Sequence, residues 1–303
     1  QDYSPFITFD GGKSWLQLDG EGIIVSPSAG EGGTVAFNPS RPEITYVYTT
    51  AGLQISEDYG YTFKHVSGIP PMTANSPNAI AFNSLNPKIV YLATSSGLYV
   101  SKDWGRTWTL LALKGKRVLA VLTIEEEPET IFAGCEDGFY YSKNGGLTFS
   151  KSRTKLRFVN SVTYDRETRK IFIAAIDGVY VSNNGGRTFT AVGGLPKWFM
   201  GGWGYGVYPF HATYAKVIID RNTDPPLIIV ATGGGLYYSK NNGISWSQIP
   251  IKLNSNQITD VKIMNNHPDT MYISTFGSGI YVLKNVSKLT GTRIKGNYKQ
   301  IYK

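Results

Sequence analysis

One eight-residue box occurs six times along this 303-residue chain. The copies read TFDGGKSW (8–15), SEDYGYTF (56–63), SKDWGRTW (101–108), SKNGGLTF (142–149), SNNGGRTF (182–189) and SKNNGISW (239–246). Each sets Ser or Thr first, Asp or Asn two positions on, then Gly, then Ser or Thr, and closes on Trp or Phe. Self-similarity at this spacing restricts a chain to architectures that stack one supersecondary unit repeatedly.

The text around the boxes chooses among those architectures. Upstream of most boxes lie paired β-branched and aromatic runs broken by glycine-rich turns, such as KIVYLATSSGLYVS (88–101), KIFIAAIDGVYVS (170–182) and PLIIVATGGGLYYS (226–239). A further strand precedes each pair, at 34–40, 79–87, 118–124, 159–165, 215–220 and 258–264. Another follows each box, as in TWTLLAL (107–113). No segment reads as an amphipathic helix. Four antiparallel strands per repeat predict an all-β chain, a single β-propeller over 1–303 with the box turns between third and fourth strands. Seven third strands can be counted, from FITF (6–9) to IYVL (280–283), so seven blades are expected, with six as the alternative. Leu283-Lys284-Asn285 replaces Ser-x-Asp after the seventh, so that copy has lost its box.

The box motif resembles the Asp-box, or BNR repeat, of sialidases, sortilin-type receptors, xyloglucanase-type glycoside hydrolases and photosystem II stability factors. The stretch FNPSRPEITYVYTTAGLQISEDYGYTF (37–63) is most similar to the sortilin and xyloglucanase style. The resemblance covers essentially the whole chain. It implies the propeller fold strongly and function weakly, because one fold hosts many activities.

The box chemistry can be argued from the residues alone. The Asx oxygen accepts backbone N–H bonds within the turn. Glycine takes a positive φ at low cost. The Trp or Phe returns into the sheets as an apolar plug. Asp10, Asp58 and Asp103 of the early copies become Asn144, Asn184 and Asn241 in the later ones. Asn keeps the acceptor oxygen and loses the charge. The pattern therefore predicts a structural turn rather than a metal ligand or a catalytic acid.

Composition narrows the rest. Hydrophobic residues make up 41% of the chain, ample for a buried core. No apolar run is long enough to span a membrane as a helix. The chain begins with Gln1, which fits either a cleaved leader or a trimmed chain, and Asn285-Val286-Ser287 is a glycosylation sequon. Both fit a secreted or cell-surface location. The single cysteine, Cys135, precludes an internal disulfide and is expected to be a half-buried structural thiol. The three histidines are scattered, so no metal site and no cofactor are expected. Residues 1–70 hold eight acids and three bases, whereas 284–303 hold six bases and no acid. That contrast suggests that the basic tail is a closing strand meeting the 5–18 segment; a frayed tail is the other reading.

Two features point to a ligand surface at the blade ends opposite the boxes. The link GGLPKWFMGGWGYGVYPFHATY (193–214) is long and aromatic, and Trp198, Trp203, Tyr205, Tyr208 and His211 form a candidate contact lobe or, equally, a plug for the propeller channel. The links at 114–117 and 151–157 are basic, and Arg117, Arg153 and Arg157 form a candidate charged flank. An acidic first link (Asp19, Glu21, Glu31) and the run Glu125-Glu126-Glu127 make nucleic acid an unexpected partner.

An enzyme needs more than this. The Arg-Ile-Pro motif of sialidases is absent, and so is the strand signature of the photosystem factors. A glycosidase would need two carboxylates across a groove, and the candidates are Asp19, Glu21, Glu31, Glu136, Asp137 and Asp177. The reading is a recognition module for a glycan or a protein partner, without catalysis. The alternatives are a glycoside hydrolase using loop carboxylates and an assembly or stability factor of a protein complex.

Overall fold

The computed structural model describes residues 6–8, 14, 16–17, 34–49, 51–71, 80–195, 214–254, 258–264, 267–275 and 279–294. Backbone contacts divide the chain into two units, residues 1–159 and 160–303. Both are built of antiparallel strands.

In the first unit, β1 (Phe6–Ile7) pairs with β2 (Leu16–Gln17) as a two-stranded ribbon. Three four-stranded sheets follow. The first contains β3 (Thr34–Phe37), β4 (Thr45–Thr49), β5 (Gly52–Ser56) and β6 (Lys64–His65). The second contains β7 (Ile80–Phe82), β8 (Val90–Thr94), β9 (Gly97–Ser101) and β10 (Thr109–Ala112). The third contains β11 (Val118–Thr123), β12 (Ile131–Cys135), β13 (Gly138–Ser142) and β14 (Ser150–Lys151).

The second unit begins with β15 (Ser161–Asp165), β16 (Lys170–Ala175), β17 (Gly178–Ser182) and β18 (Thr190–Ala191). Next come β19 (Tyr214–Asp220), β20 (Thr223–Asp224), β21 (Leu227–Thr232), β22 (Gly235–Ser239) and β23 (Ser247–Gln248), of which β19-β21-β22-β23 form the fifth sheet. The sixth sheet has three strands, β24 (Ile258–Met264), β25 (His267–Thr275) and β26 (Gly279–Lys284).

The fold is therefore all-β, with the four-stranded antiparallel blades of a β-propeller, and the blades number six rather than seven. The surplus third strand is the first one counted in the sequence, at Phe6–Ile7, which is β1 and pairs only with β2 among the described residues.

The basic tail is described as far as Ile294. Asn285 takes φ 58° and leads into a short helix, α1 (Val286–Thr290), whose Val286 and Thr290 are buried. The Ser287 N–H donates to Asp269 Oδ1 at 2.7 Å. Beyond it β27 (Arg293–Ile294) pairs with β20. The helix, too short to carry an amphipathic signal, replaces the strand that a box would have introduced.

The middle strands carry the core. β4, β8 and β12 are buried almost throughout, with Tyr46, Leu92, Ile131 and Cys135 fully so. Cys135 is thus buried outright rather than half-buried, because β12 lies between two strands of its own sheet. Burial raises its thiol pKa to about 12, so it is inert at neutral pH.

Each of the five described boxes, from residue 56 onward, is organised by its leading serine. The Ser56 hydroxyl donates to Asp58 Oδ1 at 2.7 Å and accepts the Gly60 N–H at 2.7 Å. Asp58 in turn accepts the Thr62 N–H at 2.8 Å and the Thr62 hydroxyl at 2.6 Å. Ser101, Asp103, Gly105 and Thr107 repeat the set. In the Asn copies the main-chain bonds are unchanged, with Thr148 N–H to Asn144 Oδ1 at 3.0 Å. The one difference is that Asn144 Nδ2 now donates to the Thr148 hydroxyl, at 2.9 Å. Asn184 with Thr188 and Asn241 with Ser245 do likewise. A hydroxyl both donates and accepts, so it tolerates either partner.

The boxes also join sheets. Gly105 has φ 86°, and a Cβ there would lie 2.5 Å from Tyr46 and 2.7 Å from Ile55 of the preceding sheet. The Tyr46 hydroxyl donates to Trp104 O at 2.9 Å. A second repeated device, at the exit of the first strand, works alongside. Asn38 Oδ1 accepts the N–H groups of Ser40 and Arg41, and its Nδ2 donates to Pro87 O in the next sheet at 2.8 Å. Asn83 does the same toward Pro128 O. In the second unit Asp165 holds that place and pairs with Arg221.

Two outcomes follow. Gly105→Ala should destabilise by about 3 kcal/mol, combining overpacking with a left-handed backbone, as read by chemical denaturation. The second concerns acid. Burial alone would raise the carboxyls of Asp58 and Asp103, but bonds from Thr62 and Thr107 and from Ser56 and Ser101 outweigh it and hold both below the usual range. A depressed folded pKa contributes stability above the unfolded value of about 3.9 that is lost as pH falls through the folded pKa. The double variant Asp58→Asn/Asp103→Asn should melt within a degree or two of the parent at pH 7 and lose less stability below about pH 4.

Candidate functional site

The third sheet carries the densest group of charged side chains described. The turn between β12 and β13 is Glu136-Asp137, and β13 runs from it to the box at 142–149, so turn and box lie at opposite ends of that strand. The two basic links flank the turn and are laced to it through the backbone. The Glu136 N–H donates to Arg117 O at 3.0 Å, and the Phe158 N–H donates to Glu136 O at 2.9 Å.

The second link explains why its bases are displayed. In 152–158 burial alternates, with Ser152, Leu156 and Phe158 inside and Arg153, Lys155 and Arg157 exposed. The link is irregular, with a bend at 153–154 and a left-handed Phe158 at φ 48°. Its apolar members anchor the link while every base faces solvent.

Asp137 draws the two links together. Its Oδ2 accepts from Lys116 Nζ at 2.7 Å, from the Tyr140 hydroxyl at 2.8 Å and from Lys151 Nζ at 3.2 Å. The two ammonium groups also lie over the Tyr140 ring, at 5.2 and 5.5 Å from its centroid. Burial alone would raise the Asp137 carboxyl, but the bonds from Lys116, Tyr140 and Lys151 hold it below the usual range. Lys116 is held above its ordinary value, first by its hydrogen bond to Asp137. Burial opposes the same effect on Lys151, and the Asp137 bond prevails. Arg117 Nη1 reaches Glu136 Oε2 at 3.4 Å, and Arg157 stacks over Phe158 at 5.5 Å.

The chemistry available is electrostatic. An ionised Asp137 tied to three donors is neither a general acid nor a free nucleophile. Asp177, at the matching turn of the fourth sheet, accepts from the Tyr180 hydroxyl at 2.9 Å. The two links carry seven bases (Lys114, Lys116, Arg117, Lys151, Arg153, Lys155 and Arg157) against the two acids of the turn they flank, an excess of cationic charge suited to an anionic group.

The structure brings Arg117 and Arg157 to this turn, Arg117 through Glu136 and Arg157 through Phe158. Arg153 is exposed on the same link. The side chains converging on one atom are Lys116 and Lys151, which a reading centred on arginines passes over. The signal was present as Asp-Gly-x-Tyr, which sets a carboxylate and a phenol three residues apart across a tight turn. Trp198, Trp203, Tyr205, Tyr208 and His211 lie outside the described residues, as do Asp10, Asp19, Glu21 and Glu31.

In the second unit a cavity of about 260 Å³ is lined by Thr163, Ile218, Asp220, Asn222, Lys262 and Ile263, among others. That is smaller than the roughly 300–1,000 Å³ usual for ligand pockets. No group of His, Cys, Asp and Glu among the described residues has the arrangement of a metal site. No helix among them is long and apolar enough to cross a membrane.

Comparisons agree with this architecture. The model for the BNR/Asp-box repeat matches residues 237–248, which contain the last box. No curated protein matches the sequence. Among solved structures, the GH74 xyloglucanase from Xanthomonas campestris aligns at 15% identity and TM-score 0.61, over 86% of this chain and 45% of that one. The extracellular domain of a putative one component system from B. thetaiotaomicron aligns at 14% identity and TM-score 0.65, over 93% and 36%. YCF48 from Cyanidioschyzon merolae aligns at 15% and 0.59, over 91% and 89%. The chain spans less than half the length of the first two. At these identities the likeness establishes the fold.

Asp137→Asn removes the charge that holds Lys116 and Lys151 together. With these side chains partly exposed, the change should cost about 1 kcal/mol or less, and the loss should shrink as salt is raised. Denaturation at low and high ionic strength measures both.

Proposed function

We propose that this Asp-box (BNR-repeat) β-propeller is a recognition module for an anionic partner, a carboxylated or sulfated glycan or an acidic protein surface, without chemistry of its own. One observation carries the reading. The carboxylates at the described blade turns are engaged by neighbouring donors, Asp137 by two lysines and a tyrosine, while Arg153, Lys155 and Arg157 stand exposed beside them. The site offers fixed positive charge and no paired acid and base. Display on links anchored by a rigid sheet is the usual arrangement for binding surfaces. A secreted or cell-surface setting belongs to the same proposal, supported by the Asn285-Val286-Ser287 sequon and by the extracellular domain among the structural neighbours.

The rival reading is a glycoside hydrolase, favoured by the GH74 enzymes among the structural neighbours. Binding to heparin-like and polygalacturonate probes, alongside a hydrolysis screen on neutral polysaccharides, separates the two. The double variant Arg153→Ala/Arg157→Ala should weaken anionic-probe binding about tenfold or more with the melting temperature unchanged, since both side chains face solvent. Turnover abolished by Glu136→Gln or Asp177→Asn would establish the hydrolase instead. The aromatic stretch at 193–214 is a separate proposed contact surface. There Trp203→Ala should weaken ligand binding by about 1–3 kcal/mol with little change in melting temperature; a large melting loss with unchanged binding would make it a plug.

A further inference from the structure

The bases at the third sheet fall into two groups. Arg153, Lys155 and Arg157 stand exposed on the second link, and Lys114 on the first. Lys116 and Lys151 instead converge on one oxygen, Asp137 Oδ2, at 2.7 and 3.2 Å. The Tyr140 hydroxyl donates to the same oxygen at 2.8 Å. The two ammonium groups thus already hold an anion, and that anion belongs to the chain.

This carboxylate is not a buried strut. The Asp137 side chain is 44% exposed, and those of Lys116 and Lys151 are 36% and 47% exposed. The fourth sheet shows that the turn closes without a lysine beside it. There the same Asp-Gly-x-Tyr turn recurs, and Asp177 accepts from the Tyr180 hydroxyl at 2.9 Å. Tyr180 stands opposite Ala191, in the register that sets Tyr140 opposite Lys151. Lys151 is therefore an addition to the turn and not a part of its construction.

The exposed residues also select the kind of ligand. Within 114–117, 136–137 and 151–157 every exposed residue except Gly115 is charged, and the apolar Leu156 is buried. Protein partners usually meet across an apolar or aromatic centre inside a polar rim. These links supply a rim without a centre, which fits a chain of anionic sugars and not an acidic protein surface. Taking this surface as the recognition site proposed above, we infer that its ligand is a polyanionic glycan and that Asp137 is a specificity residue for it, an internal competitor that withholds Lys116 and Lys151. A tethered carboxylate acts at high effective concentration, so a lone anionic group does not displace it. Its exposed charge also repels such a group. A glycan with several anions outweighs that repulsion by binding Arg153, Lys155 and Arg157 together.

The probe is a heparin-like sulfated octasaccharide, titrated into the whole chain by calorimetry, with polyglutamate as the protein-like arm. The parent should bind the octasaccharide, and polyglutamate more weakly. Asp137→Asn keeps an acceptor for the Tyr140 hydroxyl and frees both lysines. It should bind the octasaccharide about tenfold or more tighter, with a steeper fall as salt rises. Removing any nearby acid helps an anion to bind, so amine labelling identifies the cause. In the parent, Lys116 and Lys151 should resist acetylation while Lys155 reacts. In Asp137→Asn both should react freely, and the octasaccharide should protect both. No gain in affinity, or a gain without that protection, overturns the role of Asp137 and leaves the recognition surface standing. Polyglutamate bound as tightly as the octasaccharide overturns the glycan assignment. If neither parent nor variant binds the octasaccharide, the recognition function falls and this inference with it.

Discussion

A single serine hydroxyl organises the turn between third and fourth strands in the five four-stranded sheets. In the box it accepts a glycine N–H and donates to an Asx oxygen, which itself gathers the backbone two to four residues on. Those bonds reverse the chain between third and fourth strands without a hairpin of ordinary length. They bring the closing aromatic back against the sheets, where Trp108 and Phe149 pack on the buried clusters. They also fix the glycine that lets the next turn approach Tyr46 and Ile55. Local turn chemistry and packing between sheets are thus one device.

That device explains why charge at the box is free to vary. Exchanging Asp for Asn leaves both main-chain bonds in place and reverses only the bond to the threonine hydroxyl. The hydroxyl has a proton to give and lone pairs to receive, so neither partner is left unsatisfied. The energetic demand is for an oxygen at a fixed position, and either residue supplies it.

Much of this was legible because it is local. Ser, Asx and Gly at fixed offsets announce a turn, and alternating β-branched runs announce strands on either side. The six first strands expected from the sequence correspond to β3, β7, β11, β15, β19 and β24. The blade count went wrong at Phe6–Ile7, a strand with a box after it that pairs, among the described residues, only with β2; pattern shows a strand, but only pairing shows a blade. The Asn38 and Asn83 clamps were also unread, although both asparagines stand in quoted first strands, because a bond to Pro87 or Pro128 spans more than forty residues. At the candidate site, seven bases could be counted from sequence. That Asp137 would seize Lys116 and Lys151, rather than any arginine, depends on which link residues face inward. Leu156 and Phe158 decide that by burying themselves.

The same reasoning gives the loss of one box a consequence beyond a missing turn. Where serine is present, its hydroxyl sends the chain back along the strand it has just left, and that return covers the strand's outward groups. Where Leu283 stands, the apolar side chain offers no acceptor, Asn285 adopts a left-handed backbone, and the chain leaves as a helix. That helix is packed rather than loose, because Val286 and Thr290 are buried and the Ser287 N–H is held by Asp269 Oδ1. Losing one hydroxyl thereby replaces a turn held by side-chain oxygens with a turn of helix held by burial and a single carboxylate.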